Sequence, residues 1–454
     1  MAGFSQYVLK GEAFSTSPFQ ILGPEEKGLF SFLMEVILLE TGDGLARERW
    51  QTAQLTNLLS HAAKRSKFWN ERFDGKKPAQ IKLSRLPIMT RGDLNEQFQK
   101  EGSLLTRNDG VPVQAHATSG STGVPAKFYV SQANTLYNDI RYFAQHYMED
   151  RDIRLNTLRC KPKFPLDSPG FVFRQSDSYA GQLGRIFKTG LSASIDYANP
   201  DLDKLILKIK SFRPSYLTCA SHLVEMLLDH AGAACLRDFG LNTYIPIGAA
   251  VPAWVKEQCA NVGVSVRSNY SCEEVGLIAS ECVHAPGFFH VATSNVIVEI
   301  SPDKVNYDGV ECGRILVTHL HSYATPMIRY DLGDLGNLQP RCACGHDGAT
   351  LTNLFGRIKM SLKHKDGRRT PFHIRGQELS EVVPFEEYRI RQTELDAIVL
   401  EIATPHKSDA SAEKLKAYLQ GVTGDNFAIE VKFVDAIDWG QSVKRLAFLS
   451  DVEA

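Results

Sequence analysis

Between Thr118 and Lys127 the chain reads Thr118-Ser119-Gly120-Ser121-Thr122-Gly123-Val124-Pro125-Ala126-Lys127. Four hydroxyls, two glycines and a lysine fall within these ten residues. Glycine lets the backbone approach a ligand closely and reach positive φ. Consecutive N–H groups and hydroxyls of such a loop can wrap a phosphate, and the lysine adds positive charge. A Ser- and Gly-rich linker would need neither the proline nor the lysine that follow. The spacing is not G-x-x-x-x-G-K-[ST], so this is not a Walker loop. There is also no G-x-S-x-G turn of the kind that presents a serine nucleophile.

Four later segments carry groups suited to the same chemistry. Asn269-Tyr270-Ser271-Cys272-Glu273-Glu274-Val275-Gly276 supplies carboxylates, which suit Mg²⁺ because that ion takes oxygen ligands and bridges substrate phosphates. In Met327-Ile328-Arg329-Tyr330-Asp331-Leu332-Gly333-Asp334, the Asp334 carboxylate can accept from two vicinal hydroxyls. Gly333 permits the tight turn that presents it, while Asp331 reads as structural. Gly356-Arg357 supplies a guanidinium, a group whose fork suits phosphate oxygens. Gly440-Gln441-Ser442-Val443-Lys444-Arg445-Leu446-Ala447-Phe448 adds a lysine ten residues before the end, with Arg445 as its local competitor.

In this order the segments resemble the motifs of the adenylate-forming superfamily, and within it the phenylacetate–CoA ligase branch. The resemblance covers most of the chain. It is specific in the Ser/Thr/Gly loop and in R-Y-x-x-G-D, and looser in the last two motifs. It implies a nucleotide site made by Thr118, Ser119, Gly120, Ser121, Thr122, Gly123, Lys127, Tyr270, Ser271, Asp334 and Arg357. By the same resemblance Tyr270 packs near adenine, Glu274 binds Mg²⁺, Asp334 holds the ribose hydroxyls, and Lys444 bridges the attacking carboxylate and the α-phosphate. Four departures stand out: Ser271 for the usual Gly, Glu273 for Thr, Val443 for Gly, and Met360 where the family has a hinge aspartate.

The reaction so implied is ATP-dependent activation of a carboxylic acid as acyl-AMP, with release of pyrophosphate, then transfer to a thiol, most simply CoA. A carboxylate is a poor acyl donor, and AMP supplies the missing leaving group. Lys444 would offset charge at the pentavalent α-phosphorus, and little covalent work is asked of the protein. The acid pocket of the branch corresponds to Tyr216–His222, Gly248-Ala249-Ala250 and Tyr270–Cys272. Tyr216, Tyr244 and Tyr270 would suit an aryl acid, although the first two read equally as core tyrosines. Met360 and the irregular final motif leave room for a carrier protein, another protein or an amine as acceptor, and for a non-carboxylate acid. A non-catalytic nucleotide-binding protein is the reading from a different class.

Cys342-Ala343-Cys344-Gly345-His346 forms a C-x-C-G knuckle, with Cys282, His284 and His290 upstream. Thiolates and imidazoles gathered in one place suit tetrahedral Zn²⁺. Some members of the resembled branch carry a similar set with a structural zinc. Cys282, His290, Cys342 and Cys344 are the expected ligands, with His284 or His346 as substitutes. Four protein ligands would leave no open position, so the site would be structural and not catalytic.

The elements that must hold these groups follow from the apolar spacing. Leu55, Leu58, Leu59, Ala62 and Phe68 recur at helical intervals over residues 45–73, and Leu136, Ile140, Phe143 and Tyr147 do so over 131–147. From about 150 to 300 short apolar runs alternate with helical stretches, as in βαβ units. The fold class expected is α/β: a large N-terminal adenylate-forming domain over 1–356 and a small, mobile α+β lid domain over 357–454. In the lid, Asp366-Gly367 reads as a hairpin turn, 397–402 and 429–434 as strands, and 412–419 as a helix.

With 454 residues, two or three domains and a large core are expected. A formal net charge of −1 leaves no electrostatic footprint for nucleic acid or an anionic membrane. The apolar run 28–39 is too short to span a bilayer and contains Glu35. Nine cysteines without a signal-like N-terminus argue for reduced thiols and a cytoplasmic setting. A homodimer is compatible with the resemblance.

Overall fold

The computed structural model describes residues 22–99, 112–118, 126–162, 170–198, 200–248, 250–357, 360–372, 374, 376–424, 427–438 and 447–452, with main chain alone at 99, 357, 376 and 377. Ser119, Gly120, Ser121, Thr122, Gly123, Ala249 and Lys444 therefore lie outside the described residues.

The described residues begin with a helical layer: α1 (Pro24–Thr41), α2 (Gly44–Arg65), α3 (Lys67–Phe73) and α4 (Arg91–Gln99). Asp43 caps α2 by accepting from the N–H groups of Leu45 and Ala46, an Asx cap that satisfies first-turn donors. The face of α2 read from the sequence is the buried one, with Leu58, Leu59 and Ala62 sealed against Trp69 and Phe73 of α3. The apolar run in α1 buries Leu33, Val36 and Ile37 and is a core helix. No helix among the described residues is long and apolar enough to cross a membrane.

A two-stranded hairpin of β1 (Val113–Ala117) and β2 (Lys127–Ser131) follows, antiparallel, with Ala117 opposite Lys127. The phosphate-type loop is thus the connection of this hairpin. Ser131 ends β2 and caps α5 (Gln132–Met148) by accepting from the Asn134 N–H, so strand and helix run on directly. Helix α5 packs on α1 through Ile140, Phe143 and Ala144. A buried polar group fixes it further. Arg141 donates to the Ser294 hydroxyl at 3.3 Å and carbonyl at 3.0 Å, while the Glu40 carboxylate accepts from the N–H groups of Ser294 and Thr293. Burial lowers the Arg141 guanidinium to about 10, against the pull of Glu40.

The βαβ stretch forms a six-stranded sheet in the order β4 (Gly170–Ser176), β5 (Ser192–Ala198), β3 (Thr157–Pro162), β6 (Tyr216–Cys219), β7 (Thr243–Pro246), β8 (Ser265–Val266). All neighbours are parallel except β4 with β5. Helices α6 (Leu202–Phe212), α7 (Ser221–Ala231), α8 (Ala234–Asp238) and α9 (Ala253–Asn261) make the crossovers and share one core with Leu158, Cys160, Ile195, Leu217 and Cys219.

A nine-stranded sheet continues with β9 (Asn269–Cys272), β10 (Gly276–Glu281), β11 (Phe289–Val291), β12 (Val296–Tyr307), β13 (Val310–His319), β14 (Tyr330–Gln339), β15 (Thr350–Arg357), β16 (Ser361–Lys363) and β17 (Arg369–Pro371). Asp366-Gly367 turns the β16–β17 hairpin, as the sequence suggests, with Gly367 at φ +83°. The last part adds α10 (Gly376–Val382), α11 (Asp409–Thr423) and a four-stranded sheet in the order β20 (Ala428–Val434), β19 (Ala397–Ala403), β18 (Glu387–Glu394), β21 (Phe448–Ser450). Its core, which takes in Leu362 of β16 and runs to Phe448, is a cluster distinct from the other buried clusters. The α/β class with an α+β C-terminal part holds.

Candidate active site

Strands β9, β10 and β14 bring the residues singled out at 270–276 and 330–334 to one place. The Tyr270 hydroxyl donates to the Asp334 carboxylate at 2.6 Å. Asp334 stands opposite Arg357 in the β14–β15 register, so the third motif adjoins the other two through its backbone. Gly333 has φ +77°, a left-handed conformation that costs glycine little, and its N–H donates to Asp331 at 2.9 Å. Asp331 also takes an ion pair from Arg314 at 2.7 Å and is a turn-holding residue.

Glu274 lies on the turn between β9 and β10, with a side chain only 6% exposed. Its Oε1 accepts from Arg91 Nη2 and from the Tyr330 hydroxyl, each at 3.2 Å. Burial works to lower the Arg91 pKa, but Tyr330 and Glu274 beside it outweigh that and hold the guanidinium charged. Burial pushes the neighbouring Cys272 thiol well up, and the Glu274 charge adds to it, so this sulfur stays protonated and inert. Gly276 closes the turn at φ +72°, and a Cβ there would lie 2.9 Å from the Asn138 carboxamide of α5.

Helix α4 ties this cluster to the phosphate-type loop. Arg91, its first residue, holds Glu274, and Asn95 one turn later accepts from the Lys127 N–H at 3.0 Å. The loop is pinched at its neck, where the Thr118 hydroxyl accepts from the Ala126 N–H at 2.9 Å and the Thr118 N–H donates to the Ala126 carbonyl. Lys127 itself is exposed. Arg91 and Asn95 were not among the sequence-derived residues. Their signal was the Thr90-x-x-Asp93 capping box, in which the Asp93 N–H donates to Thr90 Oγ1 and the Thr90 N–H to Asp93 Oδ2.

The pocket residues divide. Gly248 and Ala250 are exposed at the carboxyl end of β7. Tyr216 is 4% exposed, donates its hydroxyl to the Asp152 carbonyl at 3.1 Å, and meets the His146 ring of α5 edge-on. Tyr216 is thus a packing residue, as is the fully buried Tyr244. Ser271 is exposed beside Tyr142 of α5.

Cys282, His290, Cys342 and Cys344 form a second cluster, their ligand atoms all within 4.8 Å of one another. His290 Nε2 lies 3.4 Å from Cys344 Sγ. The knuckle is a tight turn, with the Gly345 N–H on the Cys342 carbonyl and the Cys342 N–H on the His346 carbonyl. His346 stacks on His290 at 4.2 Å between ring centroids, which makes it a supporting ring to that set.

No protein-family model matches the chain. The phenylacetate-coenzyme A ligase of Pseudomonas putida is 24% identical over 323 residues, spanning 67% of this chain and 70% of that protein. The crystal structure of 2-hydroxyisobutyryl-CoA ligase in its postadenylation state with 2-HIB-AMP superposes with a TM-score of 0.61 at 18% identity, covering 91% of this chain and 92% of that one. The chain shares its fold with 2-hydroxyisobutyryl-CoA ligase and is similar in sequence to phenylacetate-coenzyme A ligase. The same ligase bound to 2-HIB-AMP and CoA in its thioesterification state matches at a TM-score of 0.57 and 19% identity, again over 91% and 92% of the two chains.

The Tyr270–Asp334 bond sets an expectation for nucleotide binding. Tyr270→Phe removes one donor to a carboxylate, a loss of about 1 kcal/mol. The KM for ATP should rise about fivefold in steady-state kinetics, with the melting temperature unchanged.

Proposed function

We propose that this chain activates a carboxylic acid with ATP, forming acyl-AMP and pyrophosphate, and then passes the acyl group to the thiol of CoA. The observation that carries this reading is the convergence of Tyr270, Glu274 and Asp334, tied through α4 to the neck of the phosphate-type loop. Phenylacetate-coenzyme A ligase and 2-hydroxyisobutyryl-CoA ligase, the latter seen with its acyl-AMP and CoA, support the same chemistry.

In the first half-reaction the acid's carboxylate attacks the α-phosphorus of ATP and the bond to pyrophosphate breaks. The hydroxyls and N–H groups of Thr118, Ser119, Gly120, Ser121, Thr122 and Gly123, with Lys127, would hold the leaving phosphates. Asp334 would accept from the ribose hydroxyls, and Arg357 would reach the nucleotide from the next strand. Tyr270 would flank adenine while fixing the Asp334 carboxylate. Lys444 would bridge carboxylate and α-phosphate as charge develops. The Glu274 carboxylate suits Mg²⁺, which would neutralise phosphate charge when bound. In the second half-reaction the thiolate attacks the acyl carbon, and AMP leaves with the electron pair of the anhydride oxygen. The C-terminal part beyond Arg357 would act as a lid that moves between the two steps, with the boundary near Met360.

Three thiolates and an imidazole within 4.8 Å match a closed tetrahedral zinc, whose sulfur ligands at about 2.3 Å sit roughly 3.8 Å apart. We assign that cluster to structural Zn²⁺. It would clamp the segment between β10 and β11 to the connection leading into β15, the strand of Arg357.

Acid-dependent ATP–pyrophosphate exchange across a panel of acids, without CoA, tests the reading. Label should enter ATP only when an accepted acid is present. ATP binding with no exchange for any acid would overturn it and favour a nucleotide-binding protein. Glu274→Gln should lower the exchange rate about 10- to 100-fold, the range for losing an anchoring group at a metal centre. It should also raise the Mg²⁺ concentration giving half-maximal rate, which a titration reads directly.

A further inference from the structure

The parallel sheet has two unlike faces. Leu158, Cys160, Ala193 and Ile195 point into the core made with α6, α7 and α9. By the alternation of strand side chains, Thr157, Arg159 and Lys161 of β3, Ser194 and Asp196 of β5, and Tyr216 and Thr218 of β6 share the other face. Register places Arg159 between Ser194 and Thr218, and Lys161 beside Asp196. Parallel sheets ordinarily bury both faces beneath apolar groups. Here the second face is sealed at its amino end, where His146 of α5 covers Tyr216, and opens toward the carboxyl ends, where Arg159 and Lys161 are exposed.

Strand β3 is also where the strand order reverses. The chain runs from β3 to β5 on one side, then crosses to β6, β7 and β8 on the other. In open α/β sheets the crevice outside the carboxyl ends at such a point is where ligands bind. Gly248 and Ala250 emerge from β7 at that same end. Tyr142 of α5 brings Ser271 and Glu273 of the neighbouring sheet close to Arg159. The Tyr142 phenol is hydrogen-bonded with Ser271 and lies within the fields of Arg159 and Glu273. Tyr142 is partly open to solvent, with 41% of its surface exposed.

The charges in this cleft do not cancel. Asp196 is taken by Arg174 at 2.5 Å. Arg159 and Lys161 make no ion pair with any described residue, and Glu273 is the remaining carboxylate near them. Burial depresses the Lys161 pKa first, and Arg159 next; Glu273 and Asp196 pull the other way. Two exposed cations on one face of a central strand leave a local positive charge that an anion would offset. A guanidinium fork with an ammonium beside it suits a carboxylate.

We propose that the acid activated here carries a second anionic group, a carboxylate or its equivalent, and that Arg159 and Lys161 on the open face of β3 receive it. This rests on the acid-activating reading above and names the substrate class of that site. The second anion keeps its charge through both half-reactions, so its binding energy is spent equally on substrate and transition state and appears in KM. Lys161 and Arg159 thereby select dianionic over monoanionic acids.

Matched pairs test this: an arylacetic or aliphatic monoacid against the same skeleton with an added carboxylate, in ATP–pyrophosphate exchange. The wild type should favour the diacid in kcat/KM by at least tenfold. Arg159→Gln and Lys161→Gln should each reduce that preference about 10- to 100-fold through KM, and Lys161→Glu should reverse it. Arg159→Lys, which keeps the charge, should retain most of the preference, separating charge from any loss of fold. A wild type that prefers the monoacids, or variants that leave the ratio unmoved, would overturn the proposal while leaving the acid-activating reading intact. A rise in the KM for ATP in place of the acid's would reassign the cations to the nucleotide. A wild type silent with every acid would defeat both readings together.

Discussion

Lys444→Ala is expected to lower acid-dependent ATP–pyrophosphate exchange by about 10²- to 10³-fold, the loss seen when one preorganised charge donor is removed from a developing oxyanion. The reason lies in the reaction. Two anions, the substrate carboxylate and the α-phosphoryl group, must come within bonding distance. Phosphoryl transfer asks the protein for positioning and charge, with little covalent help. Asp334, Tyr270 and Glu274, which would hold the nucleotide and its metal, carry negative or neutral groups, so the proposed cation comes from elsewhere. Lys444, outside the described residues, lies in the segment resembling the family's final motif. The second half-reaction gives the control. Supplied with synthetic acyl-AMP, Lys444→Ala should form thioester from CoA at close to the wild-type rate, because attack on the acyl carbon does not build charge at phosphorus. Equal loss in both halves would instead mark the segment as structural, and full loss in Arg445→Ala with none in Lys444→Ala would transfer the role to the neighbour.

Removing zinc should have the largest effect on stability. Cys282 and Cys342 are each 5% exposed, and without an ion three thiols and an imidazole crowd into one small volume. An ion present at 1,000 times its Kd adds about 4 kcal/mol to the native state. The purified chain should hold one zinc per molecule by elemental analysis. Cys342→Ser should abolish that content and lower the unfolding free energy by about 4 kcal/mol in a denaturant titration. His346→Ala should keep the metal, since His346 stacks on the proposed ligand His290 and is not itself in the set of four. A metal-free chain whose melting is indifferent to chelator would remove zinc from the fold.

Much of the site was legible because its residues sit in short, ordered motifs. Tyr270, Glu274, Gly333 and Asp334 could be named from sequence, and the chain folds so that the Tyr270 hydroxyl meets Asp334. The amphipathic spacing located α2 and α5 because burial of one helical face dominates those segments. What escaped depends on depth and face. Tyr216 and Thr218 lie on the same face of β6, but His146 of α5 closes over the first while the cleft opens beyond it. No local pattern reports which turn of a distant helix covers a strand. Arg91 escaped for a similar reason: the Thr90-x-x-Asp93 capping box marks the start of its helix, but nothing local reports that Glu274, 183 residues away, folds against it. Arg159 and Lys161 alternate with Leu158 and Cys160 as in any half-buried strand. Their meaning comes from the place of β3 at the point where the strand order turns back.

The most direct test of acid activation is isotope transfer. An accepted acid labelled with ¹⁸O in its carboxylate is turned over with ATP and CoA, and the AMP is examined by mass spectrometry. Attack of the carboxylate on the α-phosphorus puts one labelled oxygen into each AMP and none into pyrophosphate. Label in inorganic phosphate with ADP as product, or AMP without label, would contradict formation of an acyl-AMP.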